Sequence, residues 1–368
     1  MRCCTGADFA GARQQLHVLP SLFPSISVTY GNTSIRNIVI LDDYQDAVRK
    51  LRCASLLEGF NVKVFTNTVK GVGQLAVRLR EAEVIVLIRE RTPITRQLLE
   101  KLPKLKLIAQ IGRSGPHIDV QACTDRGIAI AEGIGSPIAP AELTWALIMA
   151  AMRRLPQYIS NLKHGAWQQS GFKAASMPSN FSLGTALYGR SLGIWGYGRI
   201  GQLVAHYGKA FGMEVVIWGS EASRAKAAQD GHATANSQEA FFSHCDVISL
   251  HLRLSESTQF VVKQSDLALM KPTALLVNTS RAELIEPDAL ASALQQGRPG
   301  LAAVDVFESE PILQGHTLLR MENCICTPHI GYVEQDSYEL YFGAAFDNIL
   351  NFVQGAPSNI LNPEALKH

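Results

Sequence analysis

Leu192-Gly193-Ile194-Trp195-Gly196-Tyr197-Gly198-Arg199-Ile200-Gly201 is the stretch that decides the fold. A short apolar run leads directly into G-x-G-x-x-G, and a stretch with helical character continues toward Phe211. A lone motif of this kind is weak evidence, but strand, glycine turn and helix in that order supply the context in which it works. Gly196 is expected to permit the tight turn, Gly198 to let a pyrophosphate reach the backbone, and Gly201 to let helix and strand pack closely. Amide groups at the helix N-terminus would then face the phosphates. The candidate dinucleotide-binding residues are therefore Gly196, Tyr197, Gly198, Arg199, Ile200 and Gly201.

The next apolar run, 215–218, ends at Trp218, where an acid about 20 residues beyond the glycines would take the ribose hydroxyls. Gly219-Ser220-Glu221 stands there instead. Glu221 can take the ribose from two residues further on, whereas Ser220, Ser223 and Arg224 can accept a 2′-phosphate. NAD is the expected cofactor, modestly favoured, with NADP tolerated.

Further runs at 247–252, 274–278, 301–304 and 324–327 bring this unit to six expected strands, the count of a complete dinucleotide fold. Upstream, runs at 38–41, 62–65, 84–88, 105–110 and 128–131 alternate with helical segments such as 47–57. That alternation indicates βαβ units and a parallel sheet. An apolar helix beginning at 143–152 and ending near Pro156 joins the two units. The apolar stretch 341–353 has no strand after it, so it is expected to return to the first unit. The resulting organisation is a smaller domain over 36–137 completed by 330–360, and a dinucleotide domain over 138–329. Residues 1–35 hold few acids and no secretory signal pattern. They are expected to be a poorly ordered extension without a catalytic part. The irregular segment 165–187 reads as an arm embracing a second subunit, which implies a homodimer.

Composition agrees with a soluble enzyme: 368 residues, 47% hydrophobic, 18% charged, net charge +2. The charge balance argues against a dedicated nucleic-acid binder. The run 143–152 is too short to span a bilayer, so no membrane partner is expected. The 7 cysteines form no framework and suit a reducing, cytoplasmic setting. Cys324, Cys326 and His329 are read as strand alternation rather than a metal site, and no metal is expected.

Three residues share the carboxyl edge of the second sheet: Arg281 in N-T-S-R, Glu310 in D-V-F-E-S-E-P, and His329 in T-P-H-I-G. Reduction of a keto acid needs a cation for carboxylate and carbonyl, and a proton donor at the carbonyl oxygen. Arg281 supplies the first. His329 supplies the second, with an adjacent Glu310 favouring its protonated form.

G-Y-G-R-I-G, N-T-S-R, D-V-F-E-S-E-P and T-P-H-I-G, in this order, resemble the D-isomer-specific 2-hydroxyacid dehydrogenase family and its D-3-phosphoglycerate dehydrogenase-like branch. The resemblance covers roughly residues 36–361. It implies an α/β protein with a Rossmann dinucleotide-binding domain and a smaller flavodoxin-like α/β substrate domain. The implied activity is hydride transfer between NAD(P) and C2 of a small D-2-hydroxy acid or 2-keto acid, with 3-phosphoglycerate-like substrates included. Arg281, Glu310 and His329 match the family's catalytic residues. Thr279 and Ser280 match backbone contacts beside the nicotinamide, and Asp305 a contact with its amide. Arg89 and Arg91 match substrate-binding arginines. Ser114 and Gly115 match the turn whose amides hold the substrate carboxylate, although Pro116-His117 departs from the glycine-rich form usual there. The alternatives are a phosphite- or formate-type dehydrogenase and a non-catalytic dinucleotide-sensing protein. In the family, formate users carry glutamine where this chain has Glu310.

Overall fold

Runs such as Val84–Ile88 and Leu107–Ile111 are buried at every position. A strand buried at every position belongs in a parallel sheet covered on both faces. The computed structural model describes residues 35–170 and 183–367. All but Ile35 of the expected N-terminal extension, and 171–182 of the expected arm, lie outside the described residues.

The first sheet holds β1 (Asn37–Ile40), β2 (Asn61–Val64), β3 (Val84–Ile88), β4 (Leu107–Ile111) and β5 (Ala129–Glu132). Its order is β2-β1-β3-β4-β5, all parallel, which is the flavodoxin-type doubly wound arrangement. One face packs on Leu75, Leu79, Leu98, Leu99 and Ala122 from three short helices. The other face packs on Tyr341, Phe342, Ala345, Phe346 and Ile349 of the helix Gln335–Val353. Phe342 and Phe346 are fully buried, and truncating either to alanine should cost about 3–5 kcal/mol.

The second sheet holds β6 (Ser191–Trp195), β7 (Glu214–Trp218), β8 (Ala233–Thr234), β9 (Val247–Leu250), β10 (Leu275–Asn278), β11 (Leu301–Val304) and β12 (Cys324–Cys326). Its order is β12-β11-β10-β9-β6-β7-β8, again all parallel. The direction of winding reverses between β6 and β9, and the crevice at such a point is where dinucleotides bind. The loops after β3 and β4 of the first sheet and after β10 and β12 of the second line one cleft between the two units, bridged by Arg281 and Glu90.

Three local expectations are corrected. The segment expected as one helix over 47–57 is two 3-10 pieces, Val48–Lys50 and Arg52–Leu57, interrupted by extended Leu51. The joining helix runs Ile138–Met152, and a second helix, Leu155–Lys163, follows at once. Arg154 between them is left-handed at φ 58°, which breaks the chain direction before Pro156. The second sheet has a seventh strand, β8, only two residues long.

Candidate active site

β12 leads into Thr327-Pro328-His329-Ile330-Gly331, and His329 is left-handed at φ 51°. Such a conformation is costly for a non-glycine residue and persists only where its surroundings hold it. Asp305, at the end of β11 and fully buried, does the holding. Its Oδ1 accepts from Thr327 Oγ1 at 2.7 Å and Ile330 N at 2.9 Å, and its Oδ2 from Gly331 N at 2.9 Å. Burial pushes the Asp305 carboxyl above its usual range, against the pull of these donors. Its oxygens thus brace the histidine turn.

The turn delivers His329 Nδ1 to Glu310 Oε2 at 2.7 Å. Glu310 Oε1 accepts from Phe307 N at 3.1 Å, which fixes the carboxylate. Burial raises the Glu310 carboxyl, but the His329 hydrogen bond and charge, the Phe307 amide and the Arg281 charge outweigh it, so it lies below the usual range. The His329 ring stands edge-on to Tyr332, centroids 5.7 Å apart.

Arg281 follows β10. Its Nη1 donates to Ser280 O at 2.7 Å, and its Nη2 pairs with Glu90 Oε1 at 2.8 Å across the cleft. Thr279 Oγ1 lies 2.7 Å from Thr144 Oγ1. Because Thr144 donates to Pro140 O, Thr279 is the donor in that pair. Ser280 Oγ donates to Leu250 O at 2.7 Å, tying the arginine loop to β9.

From the first unit, the Arg89 guanidinium lies over Tyr332, 5.6 Å from the ring centroid. Among the described residues it makes no ion pair, and its Nε is buried without a partner. Arg91 differs: it donates to Asp42 O and stacks on Tyr44 and Tyr332, so it braces the cleft wall. Ser114 N donates to Glu132 Oε1 at 2.7 Å. That amide is therefore already engaged, and Ser114 Oγ is buried without a partner.

At the cofactor edge the three motif glycines divide their work. Gly196 is left-handed at φ 101°, and a Cβ there would sit 2.6 Å from His251 O. A Cβ on Gly201 would sit 2.2 Å from Gly196 O, so only glycine lets the helix Arg199–Ala210 meet the turn. A Cβ on Gly198 would meet nothing within 4 Å, leaving that face of the turn free. Arg199 is exposed and reaches Gly135 O, while Ile200 packs into the core. The Tyr197 side chain points inward and donates to Asp230 at 3.0 Å, so only its backbone serves the loop. Gly219 has φ 149°, which explains why no side chain stands there. Ser220 Oγ caps the helix Glu221–Gln229, Glu221 is exposed, and Arg224 stacks on Trp218 at 4.9 Å.

Residues 145–331 match the sequence profile of the D-isomer specific 2-hydroxyacid dehydrogenase, NAD binding domain. The chain belongs to the D-isomer-specific 2-hydroxyacid dehydrogenases. It is an NAD(P)-dependent oxidoreductase acting on CH–OH groups. A glyoxylate reductase from Aeropyrum pernix is 36% identical over 298 residues, 80% of this chain and 87% of that protein. A D-3-phosphoglycerate dehydrogenase from Methanocaldococcus jannaschii is 34% identical over 321 residues, 87% of this chain; the chain spans 58% of that protein's length. The crystal structure of an oxidoreductase from Ralstonia solanacearum is 63% identical, with TM-score 0.89, covering 90% of this chain and 98% of that one.

Two further residues, neither named above as a site residue, stand in the cleft of this dehydrogenase. Glu90 pairs with Arg281 from 191 positions away. Its carboxyl is raised by burial but pulled below the usual range by Arg281 first, then by Arg89 and His117. His117 Nε2 meets Gln110 Oε1 at 3.2 Å while its Nδ1 is buried and unpaired. Burial lowers its pKa, partly opposed by Glu90. The departure Pro116-His117 from the glycine-rich form was the available signal for the second; the first lies between Arg89 and Arg91 in the loop read as substrate-binding, which named the arginines and not the glutamate.

Proposed function

We propose that this dehydrogenase interconverts a small 2-keto acid and its D-2-hydroxy acid, with His329 as the acid/base. A bound nicotinamide supplies or accepts the hydride. His329 faces the cleft with Nδ1 held by Glu310, so its Nε2 is the edge free to protonate the developing alkoxide. Glu310 accepts from Nδ1 and so orients the ring. Arg281, released from Glu90, binds the substrate carboxylate and polarises the carbonyl. Arg89 adds positive charge, and the Gly115 amide, which has no protein acceptor among the described residues, is free for the carboxylate. In sum, keto acid, NADH and one proton give hydroxy acid and NAD⁺. The single observation that carries the reading is the 2.7 Å His329–Glu310 contact on a turn clamped by Asp305. The test is a panel of 2-keto acids, formate and phosphite with each nicotinamide cofactor, followed by nicotinamide absorbance. Keto-acid turnover supports the reading, and turnover of formate or phosphite alone overturns it.

For the cofactor, Gly196, Gly198 and Gly201 shape the pyrophosphate turn, while Thr279 and Ser280 set the loop beside the nicotinamide. With Gly219 bare, Ser220 at a helix N-terminus and Arg224 against Trp218, the ribose end tolerates a 2′-phosphate, so NAD is favoured modestly over NADP. Glyoxylate-sized and 3-phosphoglycerate-like acids are the expected substrates, in keeping with the names of the relatives. A homodimer is supported by the helix Leu155–Lys163, which exposes Leu155, Ile159 and Leu162 along one face beside exposed Trp167. A cytoplasmic location is supported by Cys53, Cys123, Cys245, Cys324 and Cys326, all free.

A further inference from the structure

Cys324 and Cys326 occupy alternate positions of β12, so both side chains leave the strand on one face. They join the cluster of Val304, Phe307 and Leu318, while Ile325 between them packs on the opposite face. Their sulfurs lie 3.8 Å apart, a non-bonded contact. Cys324 is buried and Cys326 half-buried. The deeper thiol keeps its proton and donates it to Cys326. That bond, together with burial, pushes the Cys324 thiol up, and the same bond draws the Cys326 thiol below its ordinary value. The thiolate is the reactive form, so Cys326 is the nucleophile of the pair.

Both halves of the His329–Glu310 contact are tied to this strand. Beyond Cys326, Thr327 N donates to Val304 O at 2.9 Å and Thr327 Oγ1 to Asp305 Oδ1 at 2.7 Å, which sets the turn that carries His329. Before it, Cys324 N donates to Met321 O at 3.1 Å, at the end of the 3-10 turn Thr317–Arg320. His316 heads that turn and stands edge-on to Phe307, whose amide holds Glu310. β12 is the outermost strand of its sheet among the described residues and pairs with β11 alone, so it can bend without breaking a second ladder.

We propose that Cys324 and Cys326 are a modification site for peroxide, and that their disulfide pulls His329 away from Glu310 and slows the enzyme. The Cys326 thiolate attacks one oxygen of hydrogen peroxide. An S–O bond forms, the O–O bond breaks, and the departing hydroxide takes up the Cys326 proton as water. The Cys324 sulfur then attacks that of Cys326. The S–S bond forms, the S–O bond breaks, and hydroxide leaves with the Cys324 proton as a second water. Two thiols are oxidised and one peroxide is reduced; a dithiol reverses the step and becomes a disulfide itself. Alternate Cα atoms of an extended strand are about 6.7 Å apart, whereas a disulfide spans about 5.5–6 Å, so β12 must contract by about 1 Å. A shift of about 1 Å in a reacting group is worth about a hundredfold in rate.

The test treats reduced full-length wild type, Cys326→Ser and Cys324→Ala with hydrogen peroxide, alkylates the remaining thiols in denaturant and maps tryptic peptides, with melts confirming that each variant folds. The tryptic peptide 321–367 contains Cys324, Cys326 and no other cysteine, so their disulfide appears there as an unalkylated peptide lighter by two hydrogens. Oxidised wild type should show this peptide. The Ile330 and Gly331 amides, which Asp305 holds, should exchange hydrogen faster. With the keto acid of highest turnover, kcat should fall by about tenfold to a hundredfold while NADH affinity changes little. Dithiothreitol should restore all of these, and neither variant should lose activity to peroxide. A wild-type peptide alkylated at both cysteines, a disulfide that leaves exchange and kcat unmoved, or equal loss of activity in the variants overturns the proposal. The peptide and exchange measurements need no turnover, so failure of this switch is distinguishable from failure of the assigned reaction.

Discussion

Gly198 and Gly201 sit three residues apart in one motif, yet the structure gives them opposite duties, and alanine should separate them. Gly201→Ala places a Cβ 2.2 Å from Gly196 O, where ordinary contact begins near 3.4 Å. The helix Arg199–Ala210 would have to retreat by about 1.2 Å, taking buried Val204 and Ala205 with it. Overpacking of this kind costs about 1–3 kcal/mol. In a unit of this size each kcal/mol lowers Tm by about 2–4 °C. Gly198→Ala meets nothing within 4 Å, and its backbone, φ −83° and ψ −167°, suits any residue. Its Tm should stay within about 2 °C of wild type, because alanine slightly restricts the unfolded chain without straining the folded one. Its added methyl instead fills the approach of the pyrophosphate, so NADH affinity should fall at least tenfold, about 1.4 kcal/mol. Melts without cofactor read the first quantity and NADH fluorescence titration the second. A Gly198→Ala protein that binds NADH like wild type, or a Gly201→Ala protein that melts like wild type, would refute this division.

His329→Ala should lower kcat by roughly 10²–10⁴ with little change in NADH affinity, the scale of a lost general acid/base, and steady-state kinetics with a direct titration will show it. Glu310→Gln removes the carboxylate that accepts from His329 Nδ1 at 2.7 Å, so kcat for keto-acid reduction should fall with NADH affinity little changed, and an unchanged kcat would mean the two side chains do not act as a pair. Arg281→Ala should reduce kcat/KM for keto acids by an amount equivalent to about 2–5 kcal/mol, as when one member of a desolvated charge pair is removed, and equal activity would exclude its assigned role. Arg224→Ala should reduce kcat/KM for NADPH more than for NADH; an Asp at Gly219 is a poor probe, since φ 149° strains any side chain there.

Both sheets were readable from sequence because their strands are buried on both faces and appear as apolar runs at regular intervals. β8 was not, because Ala233–Thr234 is a two-residue edge strand, exposed or half-buried, without an apolar signature. The helix joining the units starts at Ile138 because Ala139 and Ala141 are buried despite their size, a contribution that apolar-run counting underweights. The break at Arg154 depends on a left-handed residue that composition does not announce. Within the site, Arg281, Glu310 and His329 were legible as strand-end residues of the expected chemistry. Asp305 was legible as a position but not as the clamp of the histidine turn, since that work depends on two backbone amides and a hydroxyl 22 or more residues away. Glu90 and His117 escaped notice as functional groups for a related reason. Their meaning comes from Arg281 in the other unit and from the buried Gln110, and no local pattern encodes either contact.

The central claim is that hydride from the nicotinamide reaches C2 of a 2-keto acid while His329 delivers the proton. The most direct measurement supplies NADH deuterated at C4 on the transferable face, incubates it with hydroxypyruvate, and resolves the product on a chiral column coupled to mass spectrometry. One deuterium at C2 of the D-hydroxy acid, formed by the wild type and reduced at least a hundredfold in His329→Ala, is the predicted result. An L-product, a product without deuterium at C2, or equal formation by His329→Ala would contradict it.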